Sequence, residues 1–432
     1  MRMSGAIRTF GVFEQATEAA AFIMTDIPLD RTPADRPQIA LLATIDRAPA
    51  LVAAGGLVLG FAAIAGLIDL RQAALFLVGG LLGAALYHGS FGFTGGWRRF
   101  VVERRGRAVR AQMLMIGIAA VAMIPLLAAG SLGGKPLVGA LAPVGVSVLV
   151  GAALFGLGMQ LGGGCGSGTL FTVGGGSARM LVTLVFFIVG AVVGTAHLPW
   201  WLELPSLGVI DLGREFSTGT AVFATLAALG LVALATALVE RRTHGDLEWE
   251  ATPPRAGWSW VLKGPWPLVG AGLMLAVLNI ATLLLAGHPW SVTFGFGLWG
   301  AKIAQAAGIP IETWAFWTWP GPQKALASSV LADVTSVMNF GIILGAGLAA
   351  SLAGKFAPKA KLPLGSLLAA VVGGLLMGYG ARLSFGCNIG ALFSGIASGS
   401  LHGWLWFAAA FAGSFAGVAA RPLFGLDGFN RT

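Results

Sequence analysis

The sequence predicts an all-α fold: a polytopic helical membrane protein with about ten spans. Three observations predict it. Of 432 residues, 56% are hydrophobic and only 10% are charged, where a soluble domain carries roughly 25% charged residues. The mean hydropathy is +0.83. Apolar runs near 20 residues recur along the chain, the length a helix needs to cross ~30 Å of hydrocarbon. The formal charge of +9 does not point to nucleic acid, because the arginines gather in short stretches between apolar runs, as the positive-inside bias produces.

Residues 1–48 form an N-terminal extension with many charges and no leading apolar stretch, unlike a cleavable signal. Within it IRTFGVFEQATEAAAFIM (7–24) suits a surface helix, and the rest reads as a Pro-containing linker. A first membrane half (49–240) holds spans at 50–69, 72–88, 111–130, 137–161, 180–198 and 218–239. A linker, 241–263, leads to a second half (264–425) with spans at 265–287, 325–352, 364–384 and 402–423, a further short helix within 291–310, and a tail at 426–432. The most basic loop is WRRFVVERRGRAVR (97–110), followed by 240–263 and by 354–361 with Lys355, Lys359 and Lys361. This count puts all three on the side of the N-terminus, giving cytoplasmic N- and C-termini.

Glycine is over-used, at 66 residues of 432, about twice the typical ~7%. Glycines let membrane helices pack closely, but here many cluster with Ser, Thr and Cys at the ends of apolar runs. GLGMQLGGGCGSGTLF (156–171) aligns without gaps to GYGARLSFGCNIGALF (378–393) and pairs the chain's two cysteines, Cys165 with Cys387. A weaker echo pairs SFGF (90–93) with TFGF (293–296). The span count runs the two halves in opposite senses. That predicts an inverted-topology repeat with four Gly-rich re-entrant segments meeting near the midplane. An ordinary bundle whose glycines only pack helices is the plainer alternative.

In CGSGTLF, Ser167 and Thr169 can cap a short helix. A helix start turned into the membrane offers unpaired N–H groups and a partial positive charge to a small anion. The flanking Gly162, Gly163, Gly164 and Gly386 let backbone approach a ligand; Asn388 and Ser394 add polar side chains, and Gly166, Ser167, Gly168 and Gly390 join Gly164, Gly386 and Asn388 as substrate-binding candidates. The thiols could bond to substrate, bind a soft metal or donate S–H bonds. Five scattered histidines give no metal-ligand spacing, so neither metal nor cofactor is expected. For an isolated cysteine, simple burial would be the usual reading. Arg382 stands five residues before Cys387 and Gln160 five before Cys165; both are substrate-binding candidates, though Arg382 could instead snorkel. Lys302 and Lys324 suit an entrance funnel for anions or simple interfacial anchors. Asp333 could pair with one of these bases, with Ser336 and Asn339 on its face of a helix. The patch TWAFWTWPGP (313–322) reads as an interfacial aromatic belt.

GCGSGTLF (164–171), DVTSVMNFGIILGA (333–346) and GARLSFGCNIGALFSGIASGSLHGW (380–404) resemble the YeeE/YedE family of sulfur-transport membrane proteins. The similarity covers about residues 50–425 and leaves the N-terminal extension outside. It implies uptake of thiosulfate or a related sulfur compound across the bacterial inner membrane, with cysteines of a central constriction passing the anion along by S–H···S contacts. By motif match those roles fall on Cys165 and Cys387. The resemblance also implies a cytoplasmic sulfurtransferase or sulfur-carrier partner. The chain departs from the family pattern in one place: a further cysteine of the first half is replaced by SFGF, with Gly92 or a neighbour at its position. The expectation is a non-enzymatic transporter of a small sulfur oxyanion in a lipid bilayer. The alternatives are a membrane sulfurtransferase working through a cysteine persulfide, or a carrier of another sulfur or selenium species.

Overall fold

A computed structural model describes residues 45–249, 259–356, 358 and 362–429. The surface helix expected at 7–24 lies outside the described residues. Within them, ten helices are long and apolar enough to cross a membrane. In chain order the helices are α1 Arg47–Leu67, α2 Leu70–His88, α3 Phe93–Glu103, α4 Arg107–Ala128, α5 Val146–Gly162, α6 Gly166–Gly174, α7 Ala178–Leu202, α8 Leu212–Glu215 and α9 Thr218–His244. They continue as α10 Ser259–Lys263, α11 Leu268–Ala286, α12 Thr293–Ala306, α13 Ala315–Thr318, α14 Pro320–Ala327, α15 Val334–Leu352, α16 Leu364–Leu383, a π-helical turn Asn388–Phe393, α17 Ser394–Ala397 and α18 Leu401–Ala420.

Three boundaries differ from the sequence reading. The span expected from 137 starts at Val146. Residues 131–145 instead form the hairpin β1 Ser131–Leu132 with β2 Lys135–Pro136, and then β3 Pro143–Gly145, which pairs antiparallel with β4 Ser206–Val209. Pro136 and Pro143 lack the N–H a helix interior needs. The span expected from 325 starts at Val334, because Asp333 is its N-cap: Ser336 N donates to Asp333 Oδ2 at 2.7 Å. The basic stretch 97–110 is mostly helix, with a break only at 104–106 between α3 and α4. Its arginines fasten to the start of the linker. Glu240, fully buried, accepts Arg110 NH1 at 2.6 Å, Arg105 NH1 at 3.2 Å, and the backbone N–H groups of Gly106 and Glu248.

The packing has a recurring order. α2 packs on α15, and α11 on α4; α5 packs on α18, and α16 on α7; α12 packs on α7, and α3 on α18. Within each pairing, the second contact is the first with the halves exchanged. The glycines make these contacts close. Gly156 of α5 lies against the carbonyl of Ala410, and Gly378 of α16, its repeat mate, against that of Phe187. Small residues let helix backbones meet where hydrocarbon offers no hydrophobic drive of its own. The buried core runs through both halves and includes both cysteines.

Candidate functional site

The two cysteine segments share one backbone path. Three residues after Gln160 the chain turns left-handed at Gly163 (φ 89°), and three after Arg382 it does so at Phe385 (φ 59°). The second bend is costly for a side chain bearing a Cβ. Next, Gly164 packs on the backbone nitrogen of Thr169, and Gly386 on that of Ala391; an added Cβ would stand 3.1 and 2.6 Å away. Each cysteine then caps the helical turn that it precedes. Cys165 Sγ accepts Gly168 N at 3.4 Å and Cys165 O accepts Thr169 N at 2.8 Å. Cys387 Sγ accepts Ile389 N at 3.5 Å and Cys387 O accepts Ala391 N at 2.9 Å. The cap of α6 is therefore the cysteine, in place of the expected Ser167 or Thr169. Ser167 Oγ instead lies 3.5 Å from Cys165 Sγ, and Thr169 Oγ1 donates to Cys165 O.

The segments meet. A Cβ on Gly166 would stand 3.1 Å from Cys387 Sγ, 3.4 Å from Val292 and 3.5 Å from Thr293. Both thiols are free and buried. Gly168 faces Cys165 Sγ, and Gly390 faces Ser291. Behind the junction, Ser394 Oγ donates to Trp290 O at 2.7 Å and Asn339 Nδ2 to Val292 O at 2.9 Å.

Polar atoms without protein partners concentrate here. Among the described residues ten buried side-chain nitrogens and oxygens lack one; four of them belong to Trp290, Asn339 and Asn388 beside the junction, and three more to Thr94, Gln160 and Arg382. Asn388, fully buried beside Cys387, leaves both its amide nitrogen and its oxygen unpaired. An unpaired buried polar atom costs roughly 1–3 kcal/mol, so four beside one junction mark a place suited to a polar ligand or water.

The remaining candidates are more dispersed. Gln160 Nε2 donates to Thr94 O at 3.3 Å. Arg382 is half-buried, with its guanidinium over the rings of Phe316 (4.7 Å) and Phe294 (5.8 Å). Lys302 Nζ donates to Leu326 O and Ser328 O at 2.7 Å each, and Lys324 is exposed. Asp333 forms no ion pair among the described residues; it caps α15, and burial pushes its carboxyl up against the hydrogen bonds from Ser336. The aromatic patch is partly core: Trp317 is fully buried and donates to Thr195 Oγ1 at 3.1 Å. Sequence reasoning missed two arginines. Arg179 donates to the carbonyls of Gly162 and Leu161, and Arg421 to that of Gln160, so two guanidiniums satisfy the C-terminal end of α5. Their places in the first turn of α7 and just past the end of α18 were the available signal.

The profile of the family described as "Sulphur transport" matches residues 88–416. The chain belongs to the sulphur-transport family. Among individual relatives, "Probable transporter YedE" of Escherichia coli K12 is 31% identical over 162 residues, 37% of this chain and 39% of that protein. The chain thus spans about two fifths of the length of that relative. "Thiosulfate transporter TsuA" of Spirochaeta thermophila is 28% identical over 352 residues, covering 76% of this chain and 92% of that one. The protein of the same name from Escherichia coli K12 is 27% identical over 346 residues, 76% and 88% of the two chains. Family membership and ten apolar helices make this a multi-pass membrane protein. These relatives carry the names of transporters and lend nothing to the sulfurtransferase alternative.

Proposed function

We propose that this member of the sulphur-transport family carries a small sulfur oxyanion, thiosulfate foremost, through the junction of the Cys165 and Cys387 segments. The observation that carries the reading is Asn388, buried next to Cys387 with both amide atoms unpaired, where the Cys387 sulfur meets Gly166 of the Cys165 segment. Thiosulfate has hard oxygens that accept N–H bonds and one soft sulfur suited to S–H contacts. The junction supplies both: backbone N–H groups at the start of α6 and of the π-helical turn, and two thiols.

The exchanged packing pairs support an inverted-topology repeat, in which the two Gly-rich cysteine segments and α3 and α12 approach the midplane from opposite faces. On this reading the termini are cytoplasmic and the membrane is a bacterial inner membrane. The anion comes in past Lys302, Lys324 and Arg382, meets the Cys387 segment and leaves by the Cys165 segment. Two carbonyls hold the Lys302 ammonium, so it contributes field more than direct contact. A cytoplasmic sulfurtransferase or sulfur carrier would take the anion at the exit; copurification with such a protein checks that partner. The test of the function is uptake of labelled thiosulfate into proteoliposomes, with sulfite, sulfate and selenium analogues as competitors. Uptake that sulfate does not suppress is expected, and no uptake above protein-free liposomes overturns the reading.

A further inference from the structure

The two halves differ at one place where the match is otherwise close. Gln160 and Arg382 are repeat mates, and each reaches the mate of the other's neighbour: Gln160 donates to Thr94 O, and the Arg382 guanidinium lies against Gly297, which aligns with Thr94 through SFGF and TFGF. The connections after these segments are unlike. α3 reaches α4 through residues 104–106 alone, whereas α12 reaches α15 through residues 307–333. That longer connection folds as α13, α14 and two single-turn helices, and it places Phe316 on the guanidinium of Arg382. It is fastened from both ends, by Trp317 to Thr195 on α7 and by Lys302 to Leu326 and Ser328. Arg382 Nε has no partner, and among the described residues no carboxylate pairs with this arginine.

We propose that the connection 307–333 is a positioning cap that makes Arg382 the charge-selecting residue of the carrier, admitting anions of charge −2 in preference to −1. The inference rests on the transport reading above. An arginine held on an aromatic face gains ~0.5–2 kcal/mol and keeps its full charge unspent. A doubly charged anion beside it gains twice the Coulomb energy of a singly charged one of the same size. Gln160, the mate of Arg382, is neutral, and the cations beside it, Arg179 and Arg421, are bonded to the carbonyls of residues 160–162, so the unspent charge lies on the Arg382 side.

The probes are thiosulfate, a dianion, and methanethiosulfonate, a monoanion with the same S–S core, competed against each other for uptake by proteoliposomes of the full chain. Arg382→Gln is expected to raise the thiosulfate half-saturation about tenfold or more while the maximal rate changes far less, and to erase the preference for the dianion. Arg382→Lys keeps the preference, which a purely structural arginine would not. Phe316→Leu weakens it, and this variant carries the test if Arg382→Gln does not fold. Gln160→Arg raises the preference further. Unchanged half-saturation and preference in Arg382→Gln, or in Phe316→Leu where that stands in, overturns the proposal and leaves thiosulfate transport standing. Absence of wild-type uptake removes the transport reading itself, and this inference with it.

Discussion

Gly166 and Cys387, from opposite halves of the chain, meet at the junction: a Cβ on Gly166 would stand 3.1 Å from the Cys387 sulfur. That is closer than side-chain contacts ordinarily allow, and Val292 and Thr293 stand within 3.5 Å on the other sides. Space here is set by the missing side chain. Gly166→Ala is expected to cut the maximal rate of thiosulfate uptake several-fold, and Gly166→Val to abolish it, while both proteins melt within a few degrees of wild type. Transport by Gly166→Val at the wild-type rate would move the route elsewhere.

Asn388 separates stability from function. Both its amide atoms are buried without partners, and each costs roughly 1–3 kcal/mol relative to a satisfied group. Asn388→Leu, close in volume, is expected to stabilise the ligand-free protein by about 1 kcal/mol or more and to weaken thiosulfate binding. Thermal melting with and without thiosulfate checks both: the variant melts higher than wild type alone and gains less from the anion. A variant that melts lower and binds unchanged would make Asn388 a structural residue.

Phe385 bears a left-handed backbone (φ 59°) where its repeat mate is Gly163 (φ 89°). The conformation costs a residue with a Cβ ~1–2 kcal/mol, and asparagine tolerates it better. The ring is 37% exposed, so the packing lost with it offsets part of that relief. Phe385→Asn is expected to raise stability by up to ~1 kcal/mol in denaturant unfolding.

Glu240 is fully buried and accepts hydrogen bonds from two arginines and two backbone N–H groups. Removing one partner of such a network leaves charges uncompensated, at about 3–5 kcal/mol. Glu240→Ala is expected to lose stability on that scale, with the half-saturation of whatever protein folds unchanged. A shifted half-saturation would tie the 104–106 turn to the route.

Much of the fold was legible in the sequence because a bilayer imposes length and apolarity on every span. The cysteine segments were legible because each keeps Gly, Cys and Gly at the same offsets. Other features resisted for physical reasons. Residues 137–145 are as apolar as a span, and only Pro136 and Pro143 betray the strand. Asp333 looked like a charge within an apolar zone, when its spacing to Ser336 is that of an N-cap. Phe316 and Trp317 look like any interfacial aromatics, and no local pattern says that one stacks on Arg382 and the other bonds Thr195. Contacts between distant segments leave no periodicity to read.

The central claim is that the anion passes between the two thiols, and protection of those thiols tests it most directly. Purified protein in liposomes is alkylated by a small permeant thiol reagent with and without saturating thiosulfate, and modification of Cys165 and Cys387 is followed by mass spectrometry. The account predicts that thiosulfate slows modification of both, and that sulfate, lacking the soft sulfur, slows it far less. Equal rates at both cysteines with and without thiosulfate, in a protein that takes thiosulfate up, would contradict it.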